Sequence, residues 1–160
     1  MMKKRLVASI LGLVFYIVGT SAATYPRYIV GKVVGVHDGD TLTVLVGQKQ
    51  FKIRLDGIDA PELSQSFGRV SKQFASDFAF GKMAEVRVSG IDRYGRTLGE
   101  VFILGKSLNE ALVAAGLAWH YKQYSKDLRL AALELEARKK HLGLWKDPKP
   151  LPPWEYRRKK

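Results

Sequence analysis

The sequence predicts an α+β domain, mainly β: a small antiparallel barrel of five strands with three helices packed on it. Two observations carry this. Short runs rich in β-branched residues, punctuated by Gly-containing turns, come three in a row before the first helical pattern and two after it. No single strand alternates with a helix, as a parallel βαβ sheet would require. Five strands with a helix set between the third and the fourth suggest the OB-fold.

Tyr28-Ile29-Val30 and Val33-Val34-Gly35-Val36 lead to the turn His37-Asp38-Gly39. Thr41–Val46 follows and ends at Gly47-Gln48-Lys49, from which Phe51–Leu55 returns, completing a meander. Ile58–Glu62 reads as a loop, because Pro61 biases Ala60 away from helix. Phe67, Val70, Phe74 and Phe78 recur at spacings of three and four and mark one apolar helix face that ends near Gly81. Ala84–Ile91 and Thr97–Leu104 pair across the turn Asp92–Arg96. A second helix starts near Ser107, with Leu108, Ala111, Leu112 and Ala115 facing inward and Gly116 as its stop. Ser125 is positioned to cap a third helix, carrying Leu128, Ala132, Leu135 and Leu142 and ending at Gly143.

One domain accounts for the length of 160 residues, and the apolar content of 46% excludes a wholly disordered chain. Residues 1–23 read as a signal peptide. Lys3, Lys4 and Arg5 precede an uncharged apolar run, Leu6 to Val18, that is short for a membrane span, and Thr20-Ser21-Ala22-Ala23 suit a peptidase. Cleavage after Ala22 or after Ala23 fits, and an uncleaved membrane anchor is the alternative. The segment holds three cations and no acids, so the net charge of +12 falls only to +9 without it. An exported chain of this charge, periplasmic or secreted, favours polyanionic partners. Cysteine is absent, so no disulfide, thiol nucleophile or thiolate metal ligand is available. The working domain covers 24–146, and 147–160 is a Pro-rich basic tail, expected to be extended and partly mobile with Trp154 a candidate for docking.

Four acids and two arginines cluster at the strand ends. Asp38 and Asp40 flank Gly39, which is free to take positive φ, and Asp59 and Glu62 lie in a loop stiffened by Pro61. Each pair alone is ordinary turn chemistry. Asp38-Gly39-Asp40 also begins like an EF-hand loop, but no Glu stands at its twelfth position. Together the pairs offer the several hard oxygens that a divalent cation requires. Arg54 lies in a largely apolar strand, where it either faces solvent or meets an anion, and Arg96 closes the Tyr94-Gly95-Arg96 turn. Arginines, a cation and a carboxylate base are the parts that phosphodiester hydrolysis needs, because its transition state gathers negative charge on non-bridging oxygens.

Asp38–Thr41, Arg54–Glu62, Asp92–Arg96 and Asn109-Glu110-Ala111-Leu112-Val113 resemble, in order and spacing, the successive motifs of the thermonuclease (staphylococcal nuclease) family. The likeness runs from about residue 28 to Trp145. It implies an OB-fold enzyme that uses Ca²⁺ to cleave DNA and RNA, leaving 3′-phosphate ends. Asp40 and Asp59 match the carboxylate metal ligands, and Ala60 matches the residue that ligates through its main-chain carbonyl. That position is Thr in the best-known member, so a hydroxyl is lost here. Asp38 is similar to an acid that stands behind the ligands. Glu62 matches the proposed general base, and Arg54 and Arg96 match the phosphate-binding arginines, with Arg96 placed to assist the leaving 5′-oxygen. Tyr94 and Tyr121 resemble nucleotide-contacting aromatics, although Trp119-His120-Tyr121 departs from the best-known member's local sequence.

His37, His120 and His141 show no metal spacing. Trp119, Tyr121 and Tyr124 either stack on bases or bridge the last two helices, and for Trp119 the core role is favoured. Lys139-Lys140 and Arg157–Lys160 read as solvated charge. Two other functions compete: a non-catalytic OB-fold module that binds nucleic acid, and a basic surface protein for membranes or acidic polymers. The first would lack some of the acids or arginines, and the second leaves the acidic loops unexplained. The expected partners are therefore DNA and RNA as substrates of a monomer, with no stable protein partner and no membrane after cleavage.

Overall fold

The computed structural model describes residues 27–159. The expected signal peptide lies outside the described residues. β1 (Tyr28–Val36), β2 (Thr41–Val46) and β3 (Lys49–Leu55) form the meander, and a two-residue β4 (Ile58–Asp59) precedes α1 (Gly68–Ala79). Then come β5 (Met83–Ile91), β6 (Thr97–Ile103), a short β7 (Lys106–Ser107), α2 (Leu108–Ala114) and β8 (Trp119–His120). α3 (Leu128–Lys139), a 3₁₀ turn (Gly143–Lys146) and α4 (Pro153–Arg158) complete the chain.

The strands line up as β3-β2-β1-β5-β6-β7, and β3 also pairs with β6, which closes a five-stranded OB-fold barrel. Neighbours from β3 round to β6 are antiparallel, but the closing pair is parallel, with Ile53 opposite Thr97 and Leu55 opposite Gly99. The barrel is thus mixed rather than wholly antiparallel. An odd ring of strands cannot alternate direction all the way round. β1 serves two neighbours and bends between them at a bulge near Val33–Gly35, as closure demands.

Alternate residues point inward, so Val33, Val44, Ile53, Val86 and Val101 are wholly buried. α2 plugs this core with Leu108, Leu112 and Val113. Asn109 beside them fastens the helix to the barrel: its Nδ2 donates to Asp56 O at 2.9 Å and its Oδ1 accepts from Val101 N at 3.1 Å. That bond pins the start of the loop that carries Asp59 and Glu62.

Two helices present faces other than those expected. α1 buries Gly68, Ser71, Ala75 and Ala79, while Val70 is exposed and the phenylalanines flank the contact half-buried. Small residues win where the helix is closely approached: a Cβ on Gly68 would meet Glu62 O of the preceding loop at 1.9 Å, and Ser71 packs against Gly39 of the β1–β2 turn. α3 buries Leu130, Glu134 and Ala137, whereas Leu128 and Leu135 are exposed, and Asp127 rather than Ser125 caps it. Glu134 tolerates burial because Lys122 and Arg138 each pair with it at 3.0 Å. The expected extended tail is also corrected. Pro153 opens α4, and Trp154 docks on Tyr121 and Trp119.

Candidate active site

Closing the barrel brings three turns together at one end. The β1–β2 turn, the segment from Arg54 to Glu62 and the β5–β6 turn line a single cleft of about 890 Å³. Register explains the meeting, because Thr41 lies opposite Arg54, and Arg54 lies opposite Leu98. Tyr121 joins them because β4 pairs with β8, Asp59 opposite Trp119. Asp38, Asp40, Arg54, Asp59, Glu62, Tyr94, Arg96 and Tyr121 all line this cleft, together with Ala60.

Asp40 and Asp59 are buried carboxylates joined by one guanidinium. Arg54 Nη1 lies 2.9 Å from Asp40 Oδ2, and Arg54 Nη2 lies 2.9 Å from Asp59 Oδ1. Arg54 therefore meets anions instead of facing solvent. Asp40 Oδ2 also accepts from the Ala60 N–H at 2.6 Å, and Thr41 Oγ1 donates to its other oxygen at 3.2 Å. Asp38 stands behind, accepting from Asp40 N at 3.0 Å. Burial pushes the Asp40 carboxyl up to about 7, with Asp38 and Asp59 adding to the effect and Arg54 opposing it. Gly39 does not take positive φ. It is needed for space: a Cβ there would lie 2.0 Å from Ser71 Oγ and 2.7 Å from the Ala60 methyl.

The opposite wall is the β5–β6 turn. Asp92 accepts from the Arg96 N–H at 2.9 Å, Arg96 Nε at 2.7 Å and Tyr94 N at 2.9 Å. Burial works to raise this carboxyl, but the three hydrogen bonds outweigh it and hold it below the usual range. Only Nε of Arg96 is engaged, which orients the guanidinium and leaves its Nη groups without a protein acceptor among the described residues. Tyr94 is exposed, with the Arg93 and Arg96 guanidiniums over its ring at 4.8 and 5.6 Å.

The third wall was only partly legible. Tyr121 stacks parallel to Trp154, with centroids 5.1 Å apart, and meets Tyr124 edge-on. Burial and the charge of Asp59 raise the Tyr121 hydroxyl. Trp119 is a core residue, packed between Trp145 and Trp154. From α4, Arg157 reaches into the cleft and grips Asp59 Oδ2 at 2.8 Å and Glu62 Oε1 at 2.9 Å. Burial works against its charge, but the bonds to Asp59 and Glu62 prevail and keep it firmly protonated. The sequence marks Arg157 only as solvated charge, whereas the structure makes it part of the site. The signal that marks it is local: Pro152-Pro153 starts a helix, and Trp154 and Arg157, three apart, share a face. Lys139 is exposed and, among the described residues, pairs only with Glu136, as expected of solvated charge. None of the three histidines lines the cleft.

The donor chemistry suits a hard divalent cation. Asp40, Asp59 and Glu62 offer carboxylate oxygens, and two guanidiniums already stand among them as positive charge. Among the described residues no three acidic or histidine side chains form a ready cage. A cation here would rest on the two buried aspartates and complete its shell from main-chain oxygen and water, which calcium's irregular coordination permits.

Comparison with known proteins fits this geometry. Residues 52–147 match the sequence profile of the family described as Staphylococcal nuclease homologue. An uncharacterized endonuclease of Escherichia coli O157:H7 is 45% identical over 131 residues, 81% of this chain and 86% of that protein. The micrococcal nuclease of Shigella flexneri is 40% identical, covering 80% of both chains. The staphylococcal-like nuclease CAN1 of Arabidopsis thaliana is 43% identical over 70% of this chain and 35% of its own length. With the barrel closed as the motifs anticipated and Arg54, Asp59, Glu62 and Arg96 inside the matched stretch, this chain belongs to the staphylococcal nuclease family.

Proposed function

We propose that the chain is a calcium-dependent endonuclease that hydrolyses phosphodiester bonds of DNA and RNA and leaves 3′-phosphate ends. The observation that carries this reading is the joining of Asp40 and Asp59 by Arg54, in one cleft with Glu62 and Arg96. A binding module has no use for two buried carboxylates at its phosphate site, since they repel the ligand. Asp40, Asp59 and the main-chain carbonyl of Ala60 would hold the cation, with Asp38 fixing the Asp40 loop. Bound calcium supplies Lewis-acid polarisation of a phosphoryl oxygen.

The protein's own groups account for the rest. Glu62, half-exposed at the rim, accepts a proton from the attacking water. Arg54 and the free Nη groups of Arg96 donate to the non-bridging oxygens as charge gathers there, and Arg96 also meets the departing 5′-oxygen. Tyr94 and Tyr121 offer ring surface to the nucleotide on either side. As the water oxygen bonds to phosphorus the bond to the 5′-oxygen breaks, that oxygen leaves as a hydroxyl with a proton drawn from solvent, and the phosphate stays on the 3′ side.

Incubating the mature chain with plasmid DNA and RNA in calcium, magnesium or chelator tests the reading, followed by identification of the product ends. Degradation in calcium alone with 3′-phosphate ends is expected. Retardation without cleavage would favour the binding module. We further propose export of a monomer beginning at Ala23 or Thr24. N-terminal sequencing of protein from outside the cytoplasm checks the start, and an intact Met1 in a membrane fraction would favour the anchor.

A further inference from the structure

Arg157 enters the cleft from outside the barrel, and the helix that carries it is fastened independently of its guanidinium. Trp154 stacks on Tyr121, Pro153 is buried, Tyr156 Oη lies 3.1 Å from Ser64 Oγ, and the Gln65 amide donates to Leu151 O. These contacts tie α4 both to Tyr121 and to the segment after Glu62, so it holds its place whatever the Arg157 head group does. That head group makes three bonds: Nη2 to Asp59 Oδ2 at 2.8 Å, Nη1 to Asp59 Oδ1 at 3.3 Å and Nη1 to Glu62 Oε1 at 2.9 Å.

The arrangement conflicts with a cation on Asp59. A calcium ion sits about 2.3–2.6 Å from each ligand oxygen. Both Asp59 oxygens already face guanidinium groups, Oδ1 those of Arg54 and Arg157 and Oδ2 that of Arg157. A doubly charged ion at ligand distance would add a further positive centre beside guanidiniums that already crowd this carboxylate, and would repel both. Arg54 is 13% exposed and held by Asp40 and Leu55 O, whereas Arg157 is 43% exposed on a flexible stem. Arg157 is the group that yields.

Its destination follows from the same geometry. Released from Asp59 and Glu62, the guanidinium remains at the cleft on an anchored helix, with its fork unpaired. A phosphodiester brought to this cleft is the anion that a free guanidinium fork fits. Resting on the calcium reading above, we propose that Arg157 is a phosphate-binding residue held in reserve by the carboxylates: a divalent cation displaces it from Asp59 and Glu62, and it then pairs with a phosphate of the nucleic acid.

The test uses the full mature chain and two measurements. Calcium binding without nucleic acid is titrated calorimetrically for the wild type, Arg157→Gln and Arg158→Gln. Arg158 carries the same charge on the same helix but does not line the cleft. Arg157→Gln should bind calcium about tenfold more tightly, the scale of a lost charge-assisted bond, and Arg158→Gln within about twofold of wild type. Equal affinity of Arg157→Gln and wild type would overturn the exchange while leaving the calcium site standing; failure of every form to bind calcium would overturn both. The second measurement is binding of short single-stranded DNA at saturating calcium, in a Glu62→Gln background that suppresses cleavage. There Arg157→Gln should bind about three- to tenfold more weakly, and unchanged affinity would overturn the phosphate role.

Discussion

Arg54 donates to Asp59 and forms an ion pair with Asp40, at 2.9 Å each, so that one guanidinium from β3 ties the β1–β2 turn to β4. The two carboxylates come from segments about twenty residues apart in sequence and are almost wholly buried. Their mutual repulsion is held in check by a residue that the proposed reaction also uses. Stability and function therefore meet at one side chain.

Arg54→Met should accordingly be costly. Removing one partner of a buried ionic group typically costs about 3–5 kcal/mol, and here Asp40 would lose its ion-pair partner while Asp59 kept Arg157. Urea unfolding should show a lower midpoint with an unchanged slope. Calcium added to the variant should recover part of the loss, since it would supply the missing positive charge. A midpoint within error of wild type would place Asp40 and Asp59 in a site that does not need Arg54.

The two walls of the cleft should respond differently from the basic surface. Arg96→Lys loses the bidentate fork and should cut turnover by about 10²–10³ with little change in nucleic-acid affinity. Glu62→Gln should move in the same direction. Neutralising Lys159 and Lys160 should instead lower affinity and its salt dependence, sparing turnover at saturating substrate. Steady-state kinetics and binding at constant calcium separate the cases. If Arg96→Lys lost affinity alone, Arg96 would be one more part of the basic surface.

Asp92 predicts a pH dependence. Its carboxyl sits below the ordinary 3.8 in the folded chain, so the unfolded chain takes up the proton first as pH falls. Its contribution to stability is fully present above about pH 4–5 and is lost as pH drops through the folded value. Asp92→Asn should therefore be less stable than wild type at neutral pH, with the gap narrowing in acid. A gap that stays constant from neutral pH down to about pH 2 would contradict the assignment.

Gly39→Ala tests space rather than charge. The added methyl would overlap Ser71 Oγ and the Ala60 methyl, both buried, so α1 or the Ala60 loop must shift. Overpacking of this kind costs about 1–3 kcal/mol, and the shift would disturb the Asp40–Ala60 hydrogen bond. Thermal unfolding and calcium affinity should fall together. A tolerated alanine would mean that the loop has slack.

The strands and the site motifs were legible in the sequence because their signals are local. β-branched alternation, the turns at Asp38-Gly39 and Tyr94-Gly95, and Pro61 each act within a few residues, so the meander, the hairpin and the acidic loops could be placed in order. The resemblance then joined Asp40, Arg54, Asp59, Glu62 and Arg96 into one site, and the barrel brings them to one cleft.

Tertiary structure alone decided what depends on partners distant in the chain. The parallel closure of β3 on β6 follows from the number of strands in the ring. α1 turns Ser71 and Ala75 inward, against the apolar pattern of its phenylalanines, because the backbone approaches too closely for large side chains. α3 buries Glu134, whose ion pairs with Lys122 and Arg138 repay its desolvation. Arg157 lies almost a hundred residues beyond Asp59, and composition marks it only as one cation in a basic tail. It becomes part of the site because Trp154 finds Tyr121, a packing contact between surfaces that exist only once the barrel has closed.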